Sequence, residues 1–129
     1  MRTLHFGIAC SSEQNADLFY GDLLGLTRQE PKTIPAAVVQ PLFGLDMPLP
    51  ALNYLGTALH VEVFLTGSTR MPDNRITHVC LEVENAATLL ERAESSGLTV
   101  RRIPKGNGWI FFLDDPDGNR YEIKQTVTG

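Results

Sequence analysis

Two histidines and two glutamates in this 129-residue chain stand in a repeated relation. His5 leads an apolar run, and Glu62 lies inside the later alternating run "ALHVEVFLT" (58–66). His78 leads a second apolar run, and Glu122 lies inside "NRYEIKQT" (119–126). A neutral imidazole offers a nitrogen lone pair and a carboxylate supplies charge. Two of each suit a divalent metal ion of intermediate softness, such as Zn, Ni, Co, Mn or Fe. Four such ligands leave up to two positions of an octahedron open for water or substrate oxygens.

Strand periodicity decides whether these side chains share a face, because alternate residues of a strand point to opposite sides. Around His5, the more apolar set is Phe6, Ile8 and Cys10, which leaves His5, Gly7 and Ala9 on the other side. Val61, Val63 and Leu65 oppose His60, Glu62 and Phe64, and Val79, Leu81 and Val83 oppose His78, Cys80 and Glu82. In the last strand Tyr121, Ile123 and Val127 oppose Arg120, Glu122 and Lys124. If the apolar sets pack on helices, His5, Glu62, His78 and Glu122 are left on the opposite face, where a sheet bent around a cleft would bring them together.

The elements that must position them also repeat. "LHFGIACSSEQNADLFYGDLLGL" (4–26) and "THVCLEVENAATLLERAESSGL" (77–98) each run from a His-led strand through a polar cap to an amphipathic helix. Both stop at Gly-Leu, with glycine at the helix end. Ala16, Phe19, Tyr20, Leu23 and Leu24 form one helical stripe, and Ala86, Leu89, Leu90 and Ala93 the other. Ser11 or Ser12 and Asn85 are the expected N-caps. In "FFLDDPDGNRYEIKQ" (111–125) the Asp-Pro-Asp-Gly-Asn core marks a turn before the last strand.

The expected fold is therefore α+β, with two βαβββ modules forming curved mixed sheets around a cleft and helices outside. Module one spans 1–66, a polar linker 67–75, and module two 76–129. The His-to-Glu separation is 57 residues in the first module (62 − 5) and 44 in the second (122 − 78). The excess points to a helical or irregular insertion near 36–45. Its surroundings carry Val38, Val39, Leu42, Phe43, Met47, Leu49 and Leu52, which suit either an apolar lid or core packing. Trp109 and Phe111 are candidates for the cleft wall or for ordinary strand packing.

Composition narrows the partners. A net charge of −4 gives no reason to expect nucleic acid or an anionic membrane surface. There is no 18-residue apolar run for a transmembrane helix and no signal-peptide h-region at the start. Cys10 and Cys80 are too few for a disulfide framework, so both are expected to be free, buried thiols in a reduced, cytoplasmic protein. The expected partner is a small-molecule substrate.

The opening motif, "ITHVCLEVENAATLLERAESSGL" and "FFLDDPDGNRYEI" together resemble the vicinal oxygen chelate superfamily of glyoxalases, bleomycin-resistance proteins and extradiol dioxygenases. The similarity covers nearly the whole chain and is weakest over 28–57. The resemblance is to the glyoxalase I and methylmalonyl-CoA epimerase branch, and it implies His5, Glu62, His78 and Glu122 as metal ligands. It also implies a lyase or isomerase that transfers a proton beside a metal-polarised carbonyl through an enediolate, with Glu122 or Glu62 as the base. Family members of this length commonly pair modules between chains, which implies a homodimer. Ala9 stands where a basic residue would help to hold a glutathione carboxylate, and the epimerases usually have glutamine at the position of Glu62. Other readings of the same fold are a metal-free sequestration protein, an extradiol-dioxygenase-like iron enzyme and a fosfomycin-resistance-like transferase.

Overall fold

The computed structural model describes residues 2–68 and 78–127. It divides into two compact units, Met1–Thr69 and Arg70–Gly129. Most of the predicted linker, from Thr69 to Arg75, lies outside the described residues.

The first unit runs β1 (Phe6–Cys10), α1 (Glu13–Ala16, continued over Asp17–Leu23), β2 (Thr27–Arg28), β3 (Lys32–Ile34), α2 (Ala36–Phe43), β4 (Leu49–Leu55) and β5 (His60–Leu65). Its sheet has the order β1-β5-β4-β2, and β3 also pairs with β4. β1 and β5 are parallel and the other pairs antiparallel, which makes the sheet mixed. The βαβββ pattern predicts four strands, and this sheet has five, with β2 and β3 as two short ones. Pro31 lies between them, lacks an N–H and restricts Glu30, so the strand is interrupted there.

Helix α1 begins as an α-helix at Glu13–Ala16 and continues as a π-helix at Asp17–Leu23. Ser12 caps it, its side chain accepting from the Asn15 N–H at 3.1 Å. Ala16, Phe19, Tyr20 and Leu23 are buried. Tyr20 meets Tyr54 of β4 with ring centroids 5.7 Å apart, so α1 covers the face carrying Leu52, Tyr54, Val61 and Val63, all buried. Burying each large apolar side chain there contributes roughly 1.5–3 kcal/mol. The polar edge of the helix is tied down as well. Tyr54 donates its hydroxyl to Asp17 at 2.7 Å, and Arg28 bonds Asp17 at 2.9 Å and pairs with Glu13.

The predicted insertion is helix α2. Its apolar set divides: Val39, Leu49 and Leu52 are buried, while Val38, Leu42, Phe43 and Met47 are exposed. Gly44 ends the helix in the left-handed conformation, φ 72°, where a side chain would be strained.

The second unit runs β6 (Val79–Val83), α3 (Ala86–Ser95), β7 (Val100–Lys105), β8 (Gly108–Asp114) and β9 (Arg120–Gln125). Its sheet order is β6-β9-β8-β7, with β6 and β9 parallel. Asn85 caps α3 by accepting from the Thr88 N–H at 3.0 Å, and Ala86, Leu89, Leu90 and Ala93 are buried as the periodicity predicts. Leu81, Leu113, Tyr121 and Ile123 are the buried apolar strand positions, and Asp114 at the end of β8 is buried as well. Asp115 builds the turn before β9, accepting from the backbone N–H groups of Asp117 and Asn119 at 2.9 and 2.8 Å. Both units are thus mixed sheets with helices, an α+β architecture. Val127 does not share the apolar face of β9, since the strand ends at Gln125 and Val127 is exposed. Cys10 is buried as expected, but Cys80 is exposed because its side of β6 is not the packed one.

Candidate metal centre

Parallel pairing of β1 with β5 sets Gly7 beside Glu62, and antiparallel pairing of β4 with β5 sets Asn53 on the other side of Glu62. These three therefore form one row across the sheet, on the face opposite α1. His5 stands one residue before β1. Its Nε2 lies 4.0 Å from Glu62 Oε1, and its ring lies 5.1 Å from that of His60 between centroids. Glu62 is 23% exposed and His5 47%.

The second unit repeats the arrangement. His78 stands one residue before β6, and Glu122 occupies the middle of β9 between Cys80 and Phe112. His78 Nε2 lies 3.4 Å from Glu122 Oε2, with Glu122 17% exposed and His78 46%. The His78 ring meets the Phe112 ring edge to face, centroids 5.6 Å apart.

Neither pair has the 2.7–3.2 Å separation of a direct N–H···O bond. Two ligands that each lie about 2.0–2.2 Å from one ion stand roughly 3–3.5 Å apart. His78 and Glu122 have that spacing, and His5 and Glu62 are slightly wider. Nitrogen and oxygen donors, partly exposed and facing each other across a gap, fit a divalent ion. The structure brings His5 to Glu62 and His78 to Glu122, each pair within its own unit.

Several neighbours surround these pairs. His60 Nε2 lies 2.7 Å from Asn53 Oδ1. An amide oxygen only accepts, so Nε2 is the donor in this contact. Lys124 Nζ lies 4.0 Å from the other oxygen of Glu122. Phe112, not Phe111 or Trp109, occupies the Glu122 row; Phe111 pairs with Ile123, on the packed side. The Cys80 thiol is held above its ordinary range, first by partial desolvation and then by the negative Glu122 beside it.

Residues 5–124 match the glyoxalase-like domain. The chain belongs to that family, within the vicinal oxygen chelate superfamily. A comparison with curated proteins finds no match. Among solved structures, a glyoxalase family protein from Enterococcus faecalis superposes with a TM-score of 0.71 at 18% identity, covering 95% of each chain. The trypanothione-dependent glyoxalase I of Leishmania major gives 0.64 at 19%, covering 97% of this chain and 86% of that one. The fosfomycin resistance protein FosX of Listeria monocytogenes gives 0.71 at 10%, covering 99% and 95%. At these identities the likeness is one of fold.

Proposed function

We propose that the protein is a metal-dependent lyase or isomerase of the glyoxalase type, with His5, Glu62, His78 and Glu122 as the ligands of one divalent ion. The observation that supports this most is the repeated His–Glu pair, at 4.0 Å in one unit and 3.4 Å in the other. A single such pair is common on a solvated sheet face. The same pair at equivalent strand positions of two units is what a shared ion requires. In this reading the pairs come together in a homodimer, His5 and Glu62 of one chain with His78 and Glu122 of its partner.

The bound ion would polarise a substrate carbonyl and lower the pKa of the neighbouring C–H. Glu122 then takes that proton. The C–H electron pair would become a C=C bond while the carbonyl π pair settles on oxygen, leaving an enediolate; the Glu122 carboxylic acid would return the proton to the neighbouring carbon, and delivery to the opposite face would fall to a second acid. Glu62, its counterpart in the first unit, is the second candidate for this role. His78 holds its nitrogen towards Glu122, and the Phe112 ring against His78 limits the positions the imidazole can take.

A screen of hemithioacetals and acyl-CoA epimers in deuterated water tests this reading. The expected result is turnover that needs the metal and introduces deuterium at the α-carbon. Oxygen uptake coupled to turnover, or ligand binding without turnover in the metal-loaded protein, would overturn it in favour of a dioxygenase or a sequestration protein.

A further inference from the structure

The face of the first unit that carries Glu62 also carries Phe64, two residues along β5. Gly7 lies beside Glu62 in register, and a Cβ added at Gly7 would come 2.9 Å from Phe64 Cε2. The Phe64 ring therefore lies over the glycine next to Glu62, in a space that only a missing side chain leaves. Phe64 in turn meets Phe43, the last residue of α2, with ring centroids 5.0 Å apart. This contact fixes the end of α2 to the metal-pair face of the sheet, away from α1. Leu42, Phe43 and Met47, at and just after the end of α2, are 67%, 47% and 44% exposed.

We propose that Phe64, seated on Gly7, and the exposed end of α2 form a specificity wall for an uncharged, apolar substituent of the substrate. The substrate class is then a carbonyl compound with a neighbouring oxygen and a hydrophobic tail. This rests on the metal-site reading above and adds the substrate's chemistry to it. Charge agrees with an uncharged tail. No position sharing this face on β1, β4 or β5 is Lys or Arg, and Glu62 is itself an acid. The first cation in register is Lys32, on β3 beyond Ala51. Arg28 is engaged with Glu13 and Asp17. The surface continues from the His5–Glu62 pair along β5, so the tail of a substrate whose oxygens reach the proposed ion would lie against it.

Hydroxamates, which offer a metal two neighbouring oxygens, are the probes. Acetohydroxamate, hexanohydroxamate and the carboxylate-ended monohydroxamate of succinic acid would be titrated calorimetrically into metal-loaded protein. Each buried methylene strengthens binding roughly fourfold, so hexanohydroxamate should bind at least tenfold tighter than acetohydroxamate even if only part of its tail is covered. Phe43→Ala should reduce that ratio below about threefold while the metal content holds. Phe43→Lys, at the same exposed position, should shift the preference to the carboxylate-ended probe. Binding of acetohydroxamate with no gain for the longer tail, or tightest binding of the carboxylate-ended probe by wild type, would overturn the wall alone. A missing tail effect together with dimerisation lost in Phe43→Lys would assign the surface to a second copy instead. Absence of metal from the loaded protein would overturn the metal-site reading, and the wall with it.

Discussion

His60 is held beside the proposed site by one hydrogen bond. It shares a sheet face with Glu62, and its ring lies 5.1 Å from that of His5, yet its Nε2 is committed to Asn53. In the proposed site it stands beside the His5–Glu62 pair, outside the set of four ligands. His60→Ala should therefore lower metal affinity by no more than about 10–100-fold, the range for an outer partner, measured by competition with a chromophoric chelator. Glu122→Gln, assayed at saturating metal, should lose roughly 10²–10⁴ in turnover, the usual contribution of a general base. The placement of His5, Glu62, His78 and Glu122 on strand faces opposite the apolar sets was legible from alternation alone. The Asn53 contact was not, because it depends on the β4–β5 register. Phe112 was missed for the same reason: three aromatics in "WIFF" look alike until pairing with β9 selects one for the Glu122 row.

At the scale of elements, Tyr54 joins β4 to α1. Burial, and then its hydrogen bond to Asp17, hold its hydroxyl well above the ordinary tyrosine range. The folded protein thus keeps a proton that the unfolded chain releases above about pH 10. Stability from this group is fully present below that pH and falls as pH rises past it. In urea unfolding, Tyr54→Phe should lose about 1.5–3 kcal/mol at neutral pH, towards the lower end because Asp17 is 41% exposed and meets water. Its further loss above pH 10 should be shallower than in wild type. Asn85→Ala removes the cap of α3 and should cost about 1 kcal/mol by the same method. Helix α3 was readable in full, since its cap, apolar stripe and terminal Gly97 agree. The π-helical turns of α1 were not, because Ala16, Phe19, Tyr20 and Leu23 have the same spacing that an α-helix would bury. The break between β2 and β3 had its signal in Pro31, which a single long strand would have had to accommodate.

For the whole molecule, the proposed division of ligands between chains makes a prediction that neither unit makes alone. One variant would carry His5→Ala with Glu62→Ala, and a second His78→Ala with Glu122→Ala. Each should be inactive by itself. Unfolded together and refolded as a mixture, they form mixed dimers in which one site receives both intact halves, so activity should return to a fraction of wild type. Closure within one chain would leave every site half empty and the mixture inactive. The symmetry behind this was visible in the sequence as two His-led openings and two Glu-bearing strands. The Phe64 ring over Gly7 was not, because nothing in a glycine's sequence position says which side chain fills its space.

Elemental analysis of metal-loaded, desalted protein decides whether the two His–Glu pairs hold one ion as proposed. Wild type should retain about one divalent ion per set of four ligands. His5→Ala and His78→Ala should each lose most of it, because either change removes a direct bond to the ion. Equal metal content in wild type and both variants, with the fold intact, would rule out the four-ligand site.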